Sequence, residues 1–385
     1  MTRVAYVSTY VPKKCGLATY TFHLRQALSQ ENQWSGTDKV VVISSGEEDV
    51  GSPDPSLLPL ARNSKEEYAK MARRLNRSEV DVVSLQHEFG IFGGEAGAYI
   101  LEFVRNLRKP LVTTFHTVFE DPQPPYASIQ REIAEKSTKI IVMNRKAIPF
   151  LHQSFGIPVE KICFIPHGAP VPQHAEREQY RQELGWSSRK VMMTFGLLNR
   201  GKGIELIIKT LPDIVKRVPD VLYAIVGQTH PEVRKWEGEK YREELLAQIN
   251  ANHLDDHVVM IDEYMDERNL VKHITACDLY ITPYPGMQQI TSGTLAYAVG
   301  LGRPVLTTPY SYAQDLFSRY PELLIRYSDD EAWAEKIVSL LANEQELSKW
   351  EGRMEELGRE LHWQKVGRQH ATLFAEVKDN AIVLR

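Results

Sequence analysis

Residues 278–310 read DLYITPYPGMQQITSGTLAYAVGLGRPVLTTPY. DLYITPY has the β-branched and aromatic bias of a buried strand, and GRPVLTT reads as a second strand opened by Gly and Pro. Between them the chain passes through Gly, two Gln, Thr, Ser and Gly and enters a helix of small residues, so the order is strand, polar loop, helix, strand. A helix start leaves backbone N–H groups unpaired and carries partial positive charge, so a polar loop there can hold an anion such as phosphate. The alternative is a capped helix, with Thr291 or Ser292 as N-cap and nothing bound.

The same alternation runs outward in both directions. Toward the N-terminus, VAYVSTY, KVVVISS, VDVVSLQ, PLVTTFH and KIIVMN alternate with helical patterns such as TYTFHLRQALSQ and EEYAKMARRLNR. This implies parallel strands joined by crossover helices. After KICFIPHG the pattern breaks into GAPVPQHAEREQYRQELGW, rich in Pro and charge and without a strand signal. It resumes with VMMTFGLL, VLYAIVG and HVVMIDEYM. The expected organisation is a doubly wound, Rossmann-like α/β domain over 1–172, a linker over 173–187 and a second such domain over 188–361. A C-terminal helix over 362–385 is expected to pack back on the first domain. Ligands of such sheets bind at the carboxyl ends of the strands, and two such domains facing across a cleft suit a large substrate.

Composition excludes several classes. At 385 residues the chain is too long for one ordinary core. With 43% hydrophobic and 25% charged residues it is globular, without low-complexity tracts. A formal charge of −4 and the lack of a basic stripe argue against a nucleic-acid protein. RRLNR (73–77) and RNLRK (105–109) read as solvated helix faces that are also able to touch anionic lipid weakly. Cys15, Cys163 and Cys277 fit neither a disulfide framework nor a zinc ligand set, which points to a reducing cytoplasm. The first residues, MTRVAYVSTYV, lack a signal-peptide pattern, and no run reaches the length of a membrane span.

Candidate residues lie just after strands. In VPKKCGLATYT (11–21) Gly16 stands between strand and helix, where a glycine lets backbone approach a phosphate or sugar; a tight turn explains it equally well. QHEFGIFGGEAG (86–97) sets His87 and Glu88 before paired glycines, which suits acceptor recognition or a plain turn. His116 ends LVTTFH, where it can donate to a substrate hydroxyl, carry a proton or simply cap the strand. In FGLLNRGKGIELIIKTL (195–211) Asn199, Arg200 and Lys202 sit among glycines at a strand-to-helix turn. Two cations there match the need of a diphosphate leaving group, whose negative charge grows in the transition state; a solvated basic turn is the alternative. VGQTHPEV, with His230, and IDEYMDERNL follow two further strands. The second can meet a nucleobase through backbone groups or be a solvated helix start.

With these positions in order the chain resembles the family 4 glycosyltransferases over nearly its whole length. The resemblance rests on the Gly16 loop, TFHT, IPHG (165–168), FGLLNRGKG, and the run from Asp278 through Pro283 and Ala298 to Val305. It implies the GT-B fold and a nucleotide-sugar donor held mainly by the C-terminal domain, with an acceptor held mainly by the N-terminal domain. It also implies retention of anomeric configuration without an obligatory metal or other cofactor. Lys202 matches the family lysine on the donor diphosphate, His116 the histidine near the transferred sugar, and Gly16 the loop that approaches the phosphates. A family arginine falls on Leu197, which makes Arg200 the candidate for the missing charge. Two family glutamates, one near the donor sugar and one on the nucleotide ribose, fall on Gln289 and Tyr297. Gln289 can still bond sugar hydroxyls, whereas Tyr297 offers one hydroxyl where a carboxylate would grip a diol. Gly286 to Thr294, with Thr291, Ser292, Gly293 and Thr294 at the helix start, are then expected to lie against the transferred sugar and diphosphate.

The expected activity is hexosyl transfer to an acceptor hydroxyl, with GDP-mannose and UDP-glucose the first donors by analogy. The alternatives are a GT-B phosphorylase or sugar-nucleotide epimerase, which the absent ribose carboxylate favours, and a non-catalytic sugar-binding protein.

Overall fold

The structure is a computed structural model that describes residues 1–31, 34–46 and 54–383. The chain forms two compact units, one of Met1–Gly168 with the chain from Trp363 onward, the other of Ala169–His362. In the first, β1 (Val4–Ser8), β2 (Lys39–Ser44), β3 (Leu57–Ala61), β4 (Val82–His87), β5 (Leu111–Phe115), β6 (Lys139–Val142) and β7 (Ile162–Phe164) make one parallel sheet ordered β3-β2-β1-β4-β5-β6-β7. Its crossovers include α1 (Gly16–Ser29), α2 (Lys65–Asn76), α3 (Ile100–Asn106), α4 (Tyr126–Lys136) and α5 (Ala147–Phe155). Strands covered on both faces read as near-continuous apolar runs, and β1, VAYVS, is buried at every residue. The sequence pattern gives no strand at β3, LLPLA, because Pro59 cannot donate to a ladder. An edge place tolerates it, with Pro59 opposite Val42.

The second unit begins with α6 (Arg177–Glu183) and carries β8 (Lys190–Phe195), β9 (Val221–Val226), β10 (Val258–Ile261), β11 (Leu279–Thr282) and β12 (Val305–Thr307) as a parallel sheet ordered β10-β9-β8-β11-β12. Its other helices are α7 (Ile204–Arg217), α8 (Pro231–Glu237), α9 (Lys240–Ala251), α10 (Glu267–Ala276), α11 (Gly293–Gly300), α12 (Ser311–Leu316), α13 (Asp330–Leu341) and α14 (Glu344–Gly358). The last helix, α15 (Trp363–Val383), packs on α1 in the first unit and buries Val366, Leu373, Phe374 and Val377. No helix among the described residues is long and apolar enough to cross a membrane.

Strand order reverses once in each sheet. The chain builds outward from β1 to β3 and returns with β4 beside β1; it builds outward from β8 to β10 and returns with β11 beside β8. Crevices at the carboxyl ends of strands open at such reversals. The loops after β1, β4, β8 and β11 carry most of the candidate residues.

Residues 173–187 belong to the second unit rather than to a linker. The cause is Asp278, the first residue of DLYITPY. Its Oδ1 accepts from Arg177 at 2.7 Å, and its Oδ2 accepts from Arg181 at 3.1 Å and from the Val191 N–H at 2.7 Å. Arg181 is buried and also donates to the carbonyls of Ala276, Trp186 and Arg189. A charged, polar sequence thus docks α6 on the ends of β8 and β11. Removing one partner of a buried pair leaves the other charge uncompensated. Asp278→Ala is expected to destabilise the second unit by roughly 3–5 kcal/mol in urea unfolding; an unchanged midpoint would show the pair to be dispensable.

The first unit buries His23, His87, His116, His167 and His370. Burial lowers each from the ordinary value of 6.5, to about 4 for His23, His167 and His370 and to about 3 for His87 and His116. Above 6.5 neither folded nor unfolded histidine binds a proton. As pH falls from there toward 3–4 the unfolded chain takes up protons that the folded unit refuses, so stability falls with pH. The unfolding midpoint is expected to drop between pH 7.5 and pH 5. His87, whose two ring nitrogens have no hydrogen-bond partner, gives the control: His87→Leu should make that drop shallower by one proton's worth, and an equal slope would contradict the assignment.

Candidate functional site

In the second unit the loop after β8 is pinned onto the end of β11. Gly203 has φ +60, and a Cβ there would fall 2.1 Å from the Pro283 carbonyl oxygen, so only glycine permits the approach. Asn199 locks the turn locally: its Oδ1 accepts from Gly201 N–H at 2.9 Å and its Nδ2 donates to the Leu197 carbonyl at 3.1 Å. Asn199 therefore shapes the loop, with its side chain committed to backbone.

This geometry brings Lys202 to the start of α11. Its ammonium donates to the Tyr284 hydroxyl at 3.0 Å and lies 4.5 Å from that ring's centroid. The Tyr284 oxygen is 3.1 Å from Thr294 Oγ1, which is 3.2 Å from Ser292 Oγ. Ser292 caps α11, accepting from the Leu295 N–H at 3.3 Å. The helix is thus capped by Ser292, as the second reading has it, and a half-buried cation stands beside the cap. Among the described residues no carboxylate pairs with Lys202. Leu295, Ala296, Ala298 and Val299 are fully buried and hold the helix against the sheet.

The other predicted residues divide. Arg200 is not brought to Lys202; it forms a bidentate pair with Glu244 on α9 at 2.7 and 2.8 Å, exposed to solvent. Gln289 is exposed, its amide donating to the Thr291 carbonyl at 2.9 Å. Tyr297 is buried and donates to Glu267 Oε1 at 3.3 Å. Burial raises the Glu267 carboxyl above its ordinary value. Tyr297, where the resemblance leads one to expect a carboxylate, thus has one beside it, carried by α10. His230 is zipped to the same edge, its N–H donating to the Leu198 carbonyl at 2.9 Å. Its Nδ1 accepts from the Glu232 N–H at 3.2 Å, which leaves the proton of the neutral ring on Nε2. Burial lowers its pKa, with the Glu232 carboxylate opposing the shift and the Lys202 charge adding to it.

In the first unit Gly16 opens α1. A Cβ there would meet nothing within 4 Å and its φ is ordinary, so neither a tight turn nor crowding demands glycine. His116 Nε2 lies 3.0 Å from Gln86 Oε1. Because the Gln86 amide nitrogen donates to Ser84 Oγ at 3.2 Å, its oxygen faces the imidazole and Nε2 must donate. His116 is then a neutral ring whose Nδ1 accepts, which corrects the expected donor role. Tyr20 stands edge-on to His116 at 4.9 Å and to His167 at 5.0 Å, so the HTV and IPHG segments meet on α1.

Glu88 Oε2 accepts from Thr117 Oγ1 at 2.6 Å and Oε1 from the Phe89 N–H at 2.9 Å, tying the ends of β4 and β5 together. Burial raises its pKa. His87 is a correction: it is fully buried, stacked on Phe92 and edge-on to Phe89 and Phe115, and meets no acceptor. The basic runs are partly spent inside the unit, with Arg73 on Asn106 and Arg105 bidentate to Glu132. Among the described residues no group of three His, Cys, Asp or Glu side chains could hold a metal ion.

Sequence reasoning missed Tyr284, Glu267, Tyr20 and His167 as site residues. Tyr284 reads as strand, and Glu267 as the acidic first turn of a helix; only the fold brings them to Lys202 and Tyr297.

Comparison with known proteins bears on both units. The model of Glycosyltransferase Family 4 matches residues 15–171, and that of Glycosyl transferases group 1 matches residues 189–343. Spore coat protein SA of Bacillus subtilis strain 168 is 23% identical over 197 residues, 49% of this chain and 50% of that protein. The GDP-mannose:glycolipid 4-beta-D-mannosyltransferase of Xanthomonas campestris pv. campestris is 31% identical over 121 residues, 31% of this chain and 30% of that protein. The chain therefore aligns with half or less of the length of these relatives. Among solved structures, Anabaena HepE in complex with UDP superposes with a TM-score of 0.76 at 15% identity, covering 97% of this chain and 100% of that one. With both units matched in sequence and in fold, the chain belongs to the family 4, group 1 glycosyltransferases of the GT-B fold.

Proposed function

We propose that the chain transfers a hexose from a nucleoside diphosphate sugar to an acceptor hydroxyl with retention of configuration. The observation that carries this is the half-buried Lys202 ammonium beside the start of α11, which no carboxylate among the described residues neutralises. Cation and helix start together form a preset site for a diphosphate whose charge grows as it leaves. The acceptor oxygen attacks the sugar's anomeric carbon from the face the diphosphate leaves. The carbon–oxygen bond to phosphate breaks, and a phosphate oxygen takes the acceptor's proton.

GDP-mannose and UDP-glucose remain the leading donors. The first is supported by the Xanthomonas relative, named as a GDP-mannose:glycolipid mannosyltransferase, and the second by the HepE complex with UDP. Arg200 can join the diphosphate by leaving Glu244, because an exposed ion pair is worth little. His230 offers a neutral Nε2–H at the same edge. Gly16 leaves room for phosphate, His116 accepts from a sugar hydroxyl through Nδ1, and Glu88 with Thr117 serves the acceptor. Glu267, oriented by Tyr297, takes the place of the family carboxylate on the ribose diol. The protein's own charges act in this scheme, without an obligatory metal.

Release of GDP or UDP from the two donors, measured in EDTA, tests the reading. One donor is expected to be turned over, and Lys202→Ala to lower kcat by about 10²–10³-fold. Turnover indifferent to that change, or phosphate-dependent cleavage without any nucleotide, would contradict it and favour a phosphorylase. Glu267→Gln is expected to weaken GDP or UDP about tenfold in calorimetry and leave inorganic pyrophosphate unaffected. Equal loss for both ligands would remove Glu267 from the ribose.

A further inference from the structure

Lys202 and Thr294 come from loops at opposite sides of the strand reversal, and one side chain joins them. Tyr284, two residues beyond β11, has 1% of its surface exposed. Its ring stacks on Tyr310 with centroids 5.4 Å apart and planes 21° apart. Its carbonyl accepts from Thr308 Oγ1 at 2.6 Å. Clamped in this way, the phenol has a fixed position. Its oxygen accepts from Lys202 Nζ at 3.0 Å and meets Thr294 Oγ1 at 3.1 Å, which leaves the ammonium 4.5 Å from the ring centroid.

A lysine reaches its target on a flexible four-carbon stem, so an ammunition of charge alone does not fix where the ammonium sits. A carboxylate anchor would hold it but cancel its charge. A phenol holds it by a neutral hydrogen bond and leaves the charge for a ligand. Gly196 leaves space for the same ammonium: a Cβ there would stand 3.2 Å from Nζ.

We propose that Tyr284 is a positioning residue of the anion site, setting the Lys202 ammonium and the Thr294 hydroxyl so that both meet one diphosphate. This rests on the nucleoside diphosphate reading of the site. The diphosphate is the part of the ligand concerned, so Tyr284 acts on pyrophosphate and on nucleotides alike.

The test is calorimetric titration of inorganic pyrophosphate, GDP and UDP into the wild type, Tyr284→Phe, Lys202→Ala and the Lys202→Ala/Tyr284→Phe double variant. Tyr284→Phe keeps the ring stack and removes only the hydroxyl. It is expected to weaken pyrophosphate and the bound nucleotide by the same factor, about tenfold. Adding Tyr284→Phe to Lys202→Ala should cost little more than Lys202→Ala alone, because the phenol acts largely through the ammonium. Unaltered affinity in Tyr284→Phe or a fully additive double variant would overturn the role. A wild type that binds neither pyrophosphate nor nucleotide would remove the underlying reading as well. A wild type that binds both beside an unaffected Tyr284→Phe would leave that reading standing and remove Tyr284 alone.

Discussion

The Lys202 ammonium rests on a phenol 3.0 Å away instead of on a carboxylate, and the local structure of the second unit follows from keeping it there. The strand reversal between β8 and β11 sets the two loops side by side. Gly203 lets the first loop touch the Pro283 carbonyl, Asn199 closes its turn, and Ser292 caps α11 so that the helix begins beside the cation. Each device uses a neutral polar group or bare backbone. A half-buried charge held only by neutral groups costs free energy, which the proposed diphosphate would recover on binding.

Much of the architecture was legible in the sequence because parallel strands buried on both faces leave continuous apolar runs, as in VAYVS and VLYAIV. The failures have local causes. Pro59 hides β3, an edge strand. The charged stretch over 173–187 reads as a linker because its arginines find their carboxylate, Asp278, nearly a hundred residues away. Sequence order gives no sign of such a pairing. His87 reads as a site residue from its place at a strand end, yet side chains alternate along a strand. Gln86 turns toward His116, and His87 shares the opposite face with Phe115, its register partner on β5.

The two absent glutamates illustrate how far a one-dimensional comparison reaches. Position 297 is a tyrosine, and taken alone it subtracts a charge from the site. In the fold its hydroxyl meets Glu267, the first residue of α10, and a carboxylate returns to the same neighbourhood from another element. Gln289, by contrast, stays on the surface and bonds its own loop. Lys202 is proposed from the glycines around it, whereas Tyr284 is hidden inside a strand-like run whose aromatic residues have the ordinary look of a core.

The most direct measurement is a crystal structure of the protein with GDP or UDP bound. The account predicts the diphosphate within hydrogen-bonding distance of Lys202 Nζ and of the backbone N–H groups at Gly293 and Thr294. A nucleotide whose phosphates lie away from Lys202 and the start of α11 would contradict it.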